Sequence, residues 1–212
     1  MESWKTADVF PDPLWRGHYP GDLTALQEKT IEFLKNSVKL NAGLERGGGA
    51  SSSSEDEMPH VWPEAVDFYK WCQPPSHEIW CHWNYKNPEK RQIDRSWANY
   101  HVKGAWTDEH THGETDQVIV LYLDAPPNSG NLEVHNPLFY HWEGTKRISG
   151  SNTWTKVPVK TGDVIIFPGW LLHRTEKNAT DSPRITINTN ITTSSTPIHR
   201  DRITPSLGEY IS

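Results

Sequence analysis

At 212 residues, the chain is long enough for one well-buried domain and too short for two comfortable ones. Its mean hydropathy of −0.73 is polar for a globular protein, and the 11 Trp, 7 Tyr and 5 Phe compensate because each ring buries a large area. The net charge of −6, with no run of Lys or Arg to reverse it, argues against nucleic acid as a partner.

No stretch approaches a membrane span, and the first twelve residues lack the apolar segment of a secretory signal. Residues 23–40 set Leu26, Ile31, Leu34 and Val38 on a helical stripe, with Asp22 in place as an N-cap. Residues 46–59, RGGGASSSSEDEMP, contain no large apolar side chain before Met58 and read as a flexible surface loop. A second helix is predicted from Pro63 through Trp71, since proline is tolerated in a first turn. Cys72 and Cys81 are too few for a disulfide framework, so free thiols and a soluble, cytoplasmic protein are expected. The sequons at Asn178 and Asn190 are then chance matches.

From Glu78 the pattern changes. Residues 78–85, 96–102, 117–123, 131–135, 156–159, 163–167 and 184–191 are short, rich in β-branched or aromatic side chains, and separated by Pro, Gly and Asn clusters. Successive strands without intervening helices predict an antiparallel sandwich. The expected fold is mainly β: a double-stranded β-helix, or cupin-like jelly roll, with N-terminal helices packed on one sheet. A single domain is expected over 1–212, with a helical part at 1–75, a jelly-roll core at 78–192 and a tail at 193–212. Within 184–191, Arg184, Thr186, Asn188 and Asn190 alternate with Ile185, Ile187 and Ile191. Strand side chains alternate faces, so one face is apolar and the other is the polar lining that a ligand-holding barrel requires.

Eleven histidines must be weighed singly. On a strand, His110 and His112 project from one face and can share a metal; His173 is the third candidate, on a segment a jelly roll can bring beside them. The same residues also read as a solvated turn among Asp108, Glu109, Glu114 and Asp116. Arg184, eleven positions beyond His173, offers the planar fork that suits a carboxylate, with Thr186 facing the same way. It reads alternatively as a surface arginine paired with Glu176 or Asp181. His101, His135, His141 and His199 have no partners at ligand spacing. The tryptophans are chiefly core, with Trp106 and Trp170 as candidate walls of a substrate entrance, and Arg174 is a weaker anion binder.

Taken in order, these segments resemble one family: Asn99-Tyr100-His101-Val102-Lys103-Gly104, His110-x-His112, residues 118–123 (VIVLYL), Gly130-Asn131-Leu132, residues 162–168 (GDVIIFP) with His173, and Arg184-Ile185-Thr186-Ile187-Asn188. The chain looks like an iron(II)- and 2-oxoglutarate-dependent oxygenase, of a branch found in bacteria and their phages, over residues 96–191. The resemblance implies that His110, His112 and His173 hold iron(II). It implies that Arg184 clasps the distal carboxylate of 2-oxoglutarate, with Thr186 and Tyr122 beside it. Dioxygen and a peptide or small-molecule substrate are the further partners, and C–H hydroxylation with release of succinate and CO2 is the implied reaction. The family usually carries HxD or HxE, and a register shifted by two, His112-Gly113-Glu114 with His173, restores a carboxylate; the His110/His112 register is the preferred one. A cupin-type metalloenzyme without 2-oxoglutarate and a non-catalytic jelly-roll module are the alternatives.

Overall fold

The computed structural model describes residues 14–36, 39–40, 45–47, 50–51, 58–137 and 153–193. Strands β1 (Trp15–His18), β2 (Lys39–Leu40), β3 (Glu45–Arg46) and β4 (Ala50–Ser51) come from the N-terminal part, with helices α1 (Thr24–Asn36) and α2 (Val66–His82). The core strands follow: β5 (Arg91–His101), β6 (Trp106–Thr107), β7 (Gln117–Asp124), β8 (Leu132–His135), β9 (Trp154–Val157), β10 (Asp163–Pro168), β11 (His173–Thr175) and β12 (Arg184–Thr193). A seven-stranded sheet runs β1-β10-β7-β12-β5-β4-β2, a three-stranded sheet β11-β8-β9, and β3 pairs with β6. All pairings are antiparallel.

Period-two alternation divides the core between the two faces of the large sheet. Ile119, Leu121, Val164, Ile166, Ile185 and Ile187 turn outward and are buried under Leu26 and Leu34 of α1 and Phe68, Tyr69, Ile79 and Trp80 of α2. Val118, Val120, Tyr122, Ile165 and Phe167 turn inward, against Leu132 and Leu171. Burial on both faces explains why β7 reads as an unbroken apolar run. The mainly β jelly roll, with helices covering one sheet, is as the sequence predicts. Asp22 accepts a hydrogen bond from the Thr24 N–H at 2.9 Å, the capping contact expected at the start of α1.

Several local expectations are corrected. Residues 78–85 do not form a strand, because α2 continues to His82 and the first core strand begins at Arg91. The buried residues Tyr69, Cys72, Ser76 and Ile79 recur every three or four positions, and burying that helical stripe outweighs the two N–H groups lost at Pro74 and Pro75. The N-terminal part is not purely helical, since β1 closes one edge of the large sheet against β10. Segment 46–59 is not wholly a loop. Arg46 pairs with Trp106, and Ala50 and Ser51 pair with Tyr100 and Asn99, satisfying a strand edge that would otherwise lie open. Val38, residues 48–49 and 52–57, His141, Trp142, His199 and the tail beyond 193 lie outside the described residues. No helix among the described residues is long and apolar enough to cross a membrane.

Trp80 is 1% exposed and meets Tyr85 edge-on at 5.3 Å. Trp80→Ala is expected to lower the unfolding free energy by about 3–5 kcal/mol in urea denaturation. Trp170→Ala, at a side chain that is 52% exposed, should cost no more than ~0.5 kcal/mol; equal losses would contradict the packing of α2 on the sheet.

Candidate metal and cosubstrate site

The approach of two chain segments builds the first half of the site. The N–H of His110 donates to the His173 carbonyl at 2.9 Å and the N–H of His173 donates back at 3.0 Å, while the His112 N–H donates to the Gly169 carbonyl at 2.9 Å. Residues 110–112 are thereby laid extended against 169–173, and residues two apart share a face. Glycine is required at 169, because a Cβ there would sit 1.9 Å from the Thr115 carbonyl oxygen. One ligand atom from each of His110, His112 and His173 falls within 4.8 Å of the others.

The hydrogen bonds behind the rings decide which nitrogens converge. Nδ1 of His110 faces the Asp108 carbonyl, Nδ1 of His112 the Asn190 side-chain oxygen and Nδ1 of His173 the Leu171 carbonyl, each at 2.8 Å. Those oxygens only accept, so each Nδ1 carries a hydrogen, and in a neutral ring Nε2 keeps its lone pair. The Nε2 atoms of His112 and His173 stand 3.3 Å apart; with no hydrogen on either, this is a pair of facing lone pairs that a cation would relieve. Burial, then the neighbouring His110, pushes His112 down to about 4. Burial also holds His173 well below the usual imidazole range, with His110 and His112 adding to the effect. Both rings are therefore neutral at pH 7, the form that binds metal.

Three imidazole nitrogens suit a divalent transition metal and leave half of an octahedron open. The structure brings His110 to His112 and His173 and leaves Glu114 exposed, outside the converging group. It does not assemble the alternative His112/Glu114 register.

Arg184 opens β12 on its inward face and is 0% exposed. Its Nη1 donates to the carbonyl oxygens of Ser129 at 2.7 Å and Glu176 at 3.1 Å, and Nη2 to the Thr175 hydroxyl at 2.9 Å. Gly130 makes room for it: φ is +94° there, and a Cβ would meet Nη1 at 2.5 Å. Arg184 is thus no surface residue. The Glu176 carboxylate bonds to Asn131 and Lys156, and that of Asp181 bonds to Lys103. Thr186 lies on the same buried face, in register with Tyr122 of β7. The Tyr122 phenol is pushed up to about 12 by burial, against the pull of the Arg184 charge. A guanidinium and two hydroxyls on one inner face form a donor set suited to a carboxylate.

Two residues of the site escape sequence reasoning. Asn190 holds His112, and its only signal was its place on the polar face of 184–191. Trp97, read as core, stacks on His112 with centroids 5.7 Å apart and planes 29° apart. Of the remaining candidates, Trp106 donates to Asp108 at 2.9 Å and lies under Lys177. Arg174 bonds to Glu133 at 2.7 Å and covers Trp154, which commits it elsewhere. His101 meets the Thr107 hydroxyl at 3.1 Å, and His135 packs edge-on against Trp154. Asn178 is 1% exposed and its Nδ2 donates to the carbonyls of His101 and Ser182, so that sequon presents no free acceptor. A cavity of about 890 Å³ lies behind the site, lined among others by Trp106, Asp108, Ser129, Glu133 and Thr175. It adjoins the supports of His110 and Arg184, and none of the three histidines lines it.

Residues 95–190 match the family model described as "putative 2OG-Fe(II) oxygenase". The fold is similar to that of the epimerase SnoN, solved with Fe3+, alpha-ketoglutarate and nogalamycin RO. That match has a TM-score of 0.59 at 10% identity and covers 87% of this chain and 80% of that one. Residues 95–190 are thus similar to the 2OG-Fe(II) oxygenases in sequence, and the chain shares their fold. Two further structures share the fold at low identity. A Pseudomonas putida prolyl-4-hydroxylase matches with TM-score 0.56 and 12% identity, over 86% of this chain and 94% of that one. HygX from Streptomyces hygroscopicus, solved with nickel and 2-oxoglutarate, matches with TM-score 0.59 and 11% identity, over 89% and 85%. No curated protein matches the sequence significantly.

If the three imidazoles form one site, His112→Ala and His173→Ala should each abolish stoichiometric iron(II) binding in anaerobic equilibrium dialysis. Glu114→Ala should leave it unchanged. Loss of binding in the Glu114 variant would restore the shifted register.

Proposed function

We propose that the chain is an iron(II)- and 2-oxoglutarate-dependent dioxygenase that hydroxylates a C–H bond of a peptide or small-molecule substrate and releases succinate and CO2. The observation that carries this reading is the convergence of ring nitrogens from His110, His112 and His173 beside a strand whose inner face begins with a buried arginine. His110, His112 and His173 hold the metal, and Arg184, Tyr122 and Thr186 hold the distal carboxylate of the cosubstrate. Bound together, iron and 2-oxoglutarate supply the oxidising power to break an unactivated C–H bond with dioxygen.

The protein's own task is orientation and exclusion of water. Phe167 abuts His173 edge-on with centroids 4.6 Å apart, and Trp97 covers His112, so the ligand rings are walled on their apolar sides. Trp106, at the edge of the cavity, and exposed Trp170 serve as contacts for the primary substrate. Free Cys72 and Cys81 support a reducing, cytoplasmic setting.

The all-histidine donor set favours one second reading, a cupin-type metalloenzyme that does not use 2-oxoglutarate. Succinate release from 2-oxoglutarate under oxygen separates the two, and its absence from iron-loaded protein with no 2-oxoglutarate binding would favour the second. Arg184→Ala should weaken 2-oxoglutarate binding by about 2–3 kcal/mol, roughly 30- to 150-fold. Anaerobic titration of the visible charge-transfer band of the iron complex measures this; an unchanged affinity would remove Arg184 from the cosubstrate site.

A further inference from the structure

We infer that Asn190 is a positioning residue for the metal, setting the tautomer and orientation of His112 through its side-chain carbonyl. The inference rests on the His110/His112/His173 reading and concerns how that site is held. Three acceptors fix the three rings, and they differ in kind. His110 and His173 lean on the main-chain carbonyls of Asp108 and Leu171, which no substitution removes. His112 leans instead on a side chain, the Asn190 oxygen 2.8 Å from Nδ1.

Packing around His112 leaves the hydrogen bond to choose the tautomer. Trp97 stacks on the ring and the edge of Phe167 approaches it at 6.2 Å between centroids, so the ring plane is set by apolar contacts that do not distinguish the two nitrogens. With an acceptor at Nδ1, the hydrogen goes there and Nε2 presents its lone pair toward the Nε2 of His173. Without one, the Nε2–H tautomer becomes available and puts a hydrogen where the metal bond should form. Asn190 also stands on the same inward face as Arg184, just before the register shift between Asn190 and Ile191 against β5. One strand therefore positions a metal ligand at one end and carries the carboxylate-binding arginine at the other.

Anaerobic titration of the whole protein with cobalt(II), followed by its visible ligand-field bands, tests this. The metal-free melting temperature of each variant serves as the check on folding. Asn190→Leu, similar in size and without an acceptor, should weaken cobalt(II) binding by roughly 10- to 100-fold. Asn190→Asp keeps an acceptor oxygen in place and should bind at least as tightly as the unaltered protein. If the Leu variant does not fold, Asn190→Ala is read in the same way. A Leu or Ala variant within twofold of the unaltered protein overturns the inference. So does an Asp variant that falls as far as the Leu variant, because packing rather than the acceptor would then be responsible. Failure of the unaltered protein to bind cobalt(II) overturns the three-histidine reading itself, and the inference with it.

Discussion

The paired main-chain hydrogen bonds between His110 and His173 are the contact on which the rest of the site depends. They tie a segment outside the regular strands to β11, and a few residues away Gly169 lets residue 115 approach more closely than a side chain would allow. Because backbone bonds set the register, the histidines meet without relying on their own side chains to find one another. A shift of one residue would turn both imidazoles of the 110–112 pair to the other face.

The second constraint is the divided character of β12. Its isoleucines are buried beneath the helices, while Arg184, Thr186 and Asn188 are buried on the opposite face. Burying a guanidinium and several polar groups costs free energy unless they are bonded, and the carbonyls of Ser129 and Glu176 and the hydroxyl of Thr175 meet part of that demand. The apolar face stabilises the sheet, and the polar face is what the fold preserves at its expense. That division is what sheet-rich folds use to enclose a polar ligand.

Two of the three converging imidazoles are uncharged. With His112 and His173 held neutral by burial and by their histidine neighbours, a divalent ion bound there would keep its charge until an anionic ligand arrived. Under the proposed function, a dianionic cosubstrate held by the buried Arg184 would be the chemical complement of such a centre.

By itself, the sequence determined the jelly roll, the inward polar face of β12 and the candidacy of His110, His112, His173 and Arg184. Strand alternation and the spacing of chemically distinctive residues are local properties, legible without coordinates. It misread residues 78–85, because an aromatic, β-branched run looks the same whether its neighbours bury it as strand or as helix; the core beneath Ile79 and Trp80 chose helix. Only the tertiary structure decided that His110 rather than Glu114 joins the other two histidines, since both lie two residues from His112 and spacing cannot separate them. The pairing of His110 with His173 breaks that symmetry. Asn190 and Trp97 became visible for the same reason, as contacts across 78 residues of chain in one case and between neighbouring segments in the other. Such contacts leave no periodic trace, because they exist only once the strands are side by side.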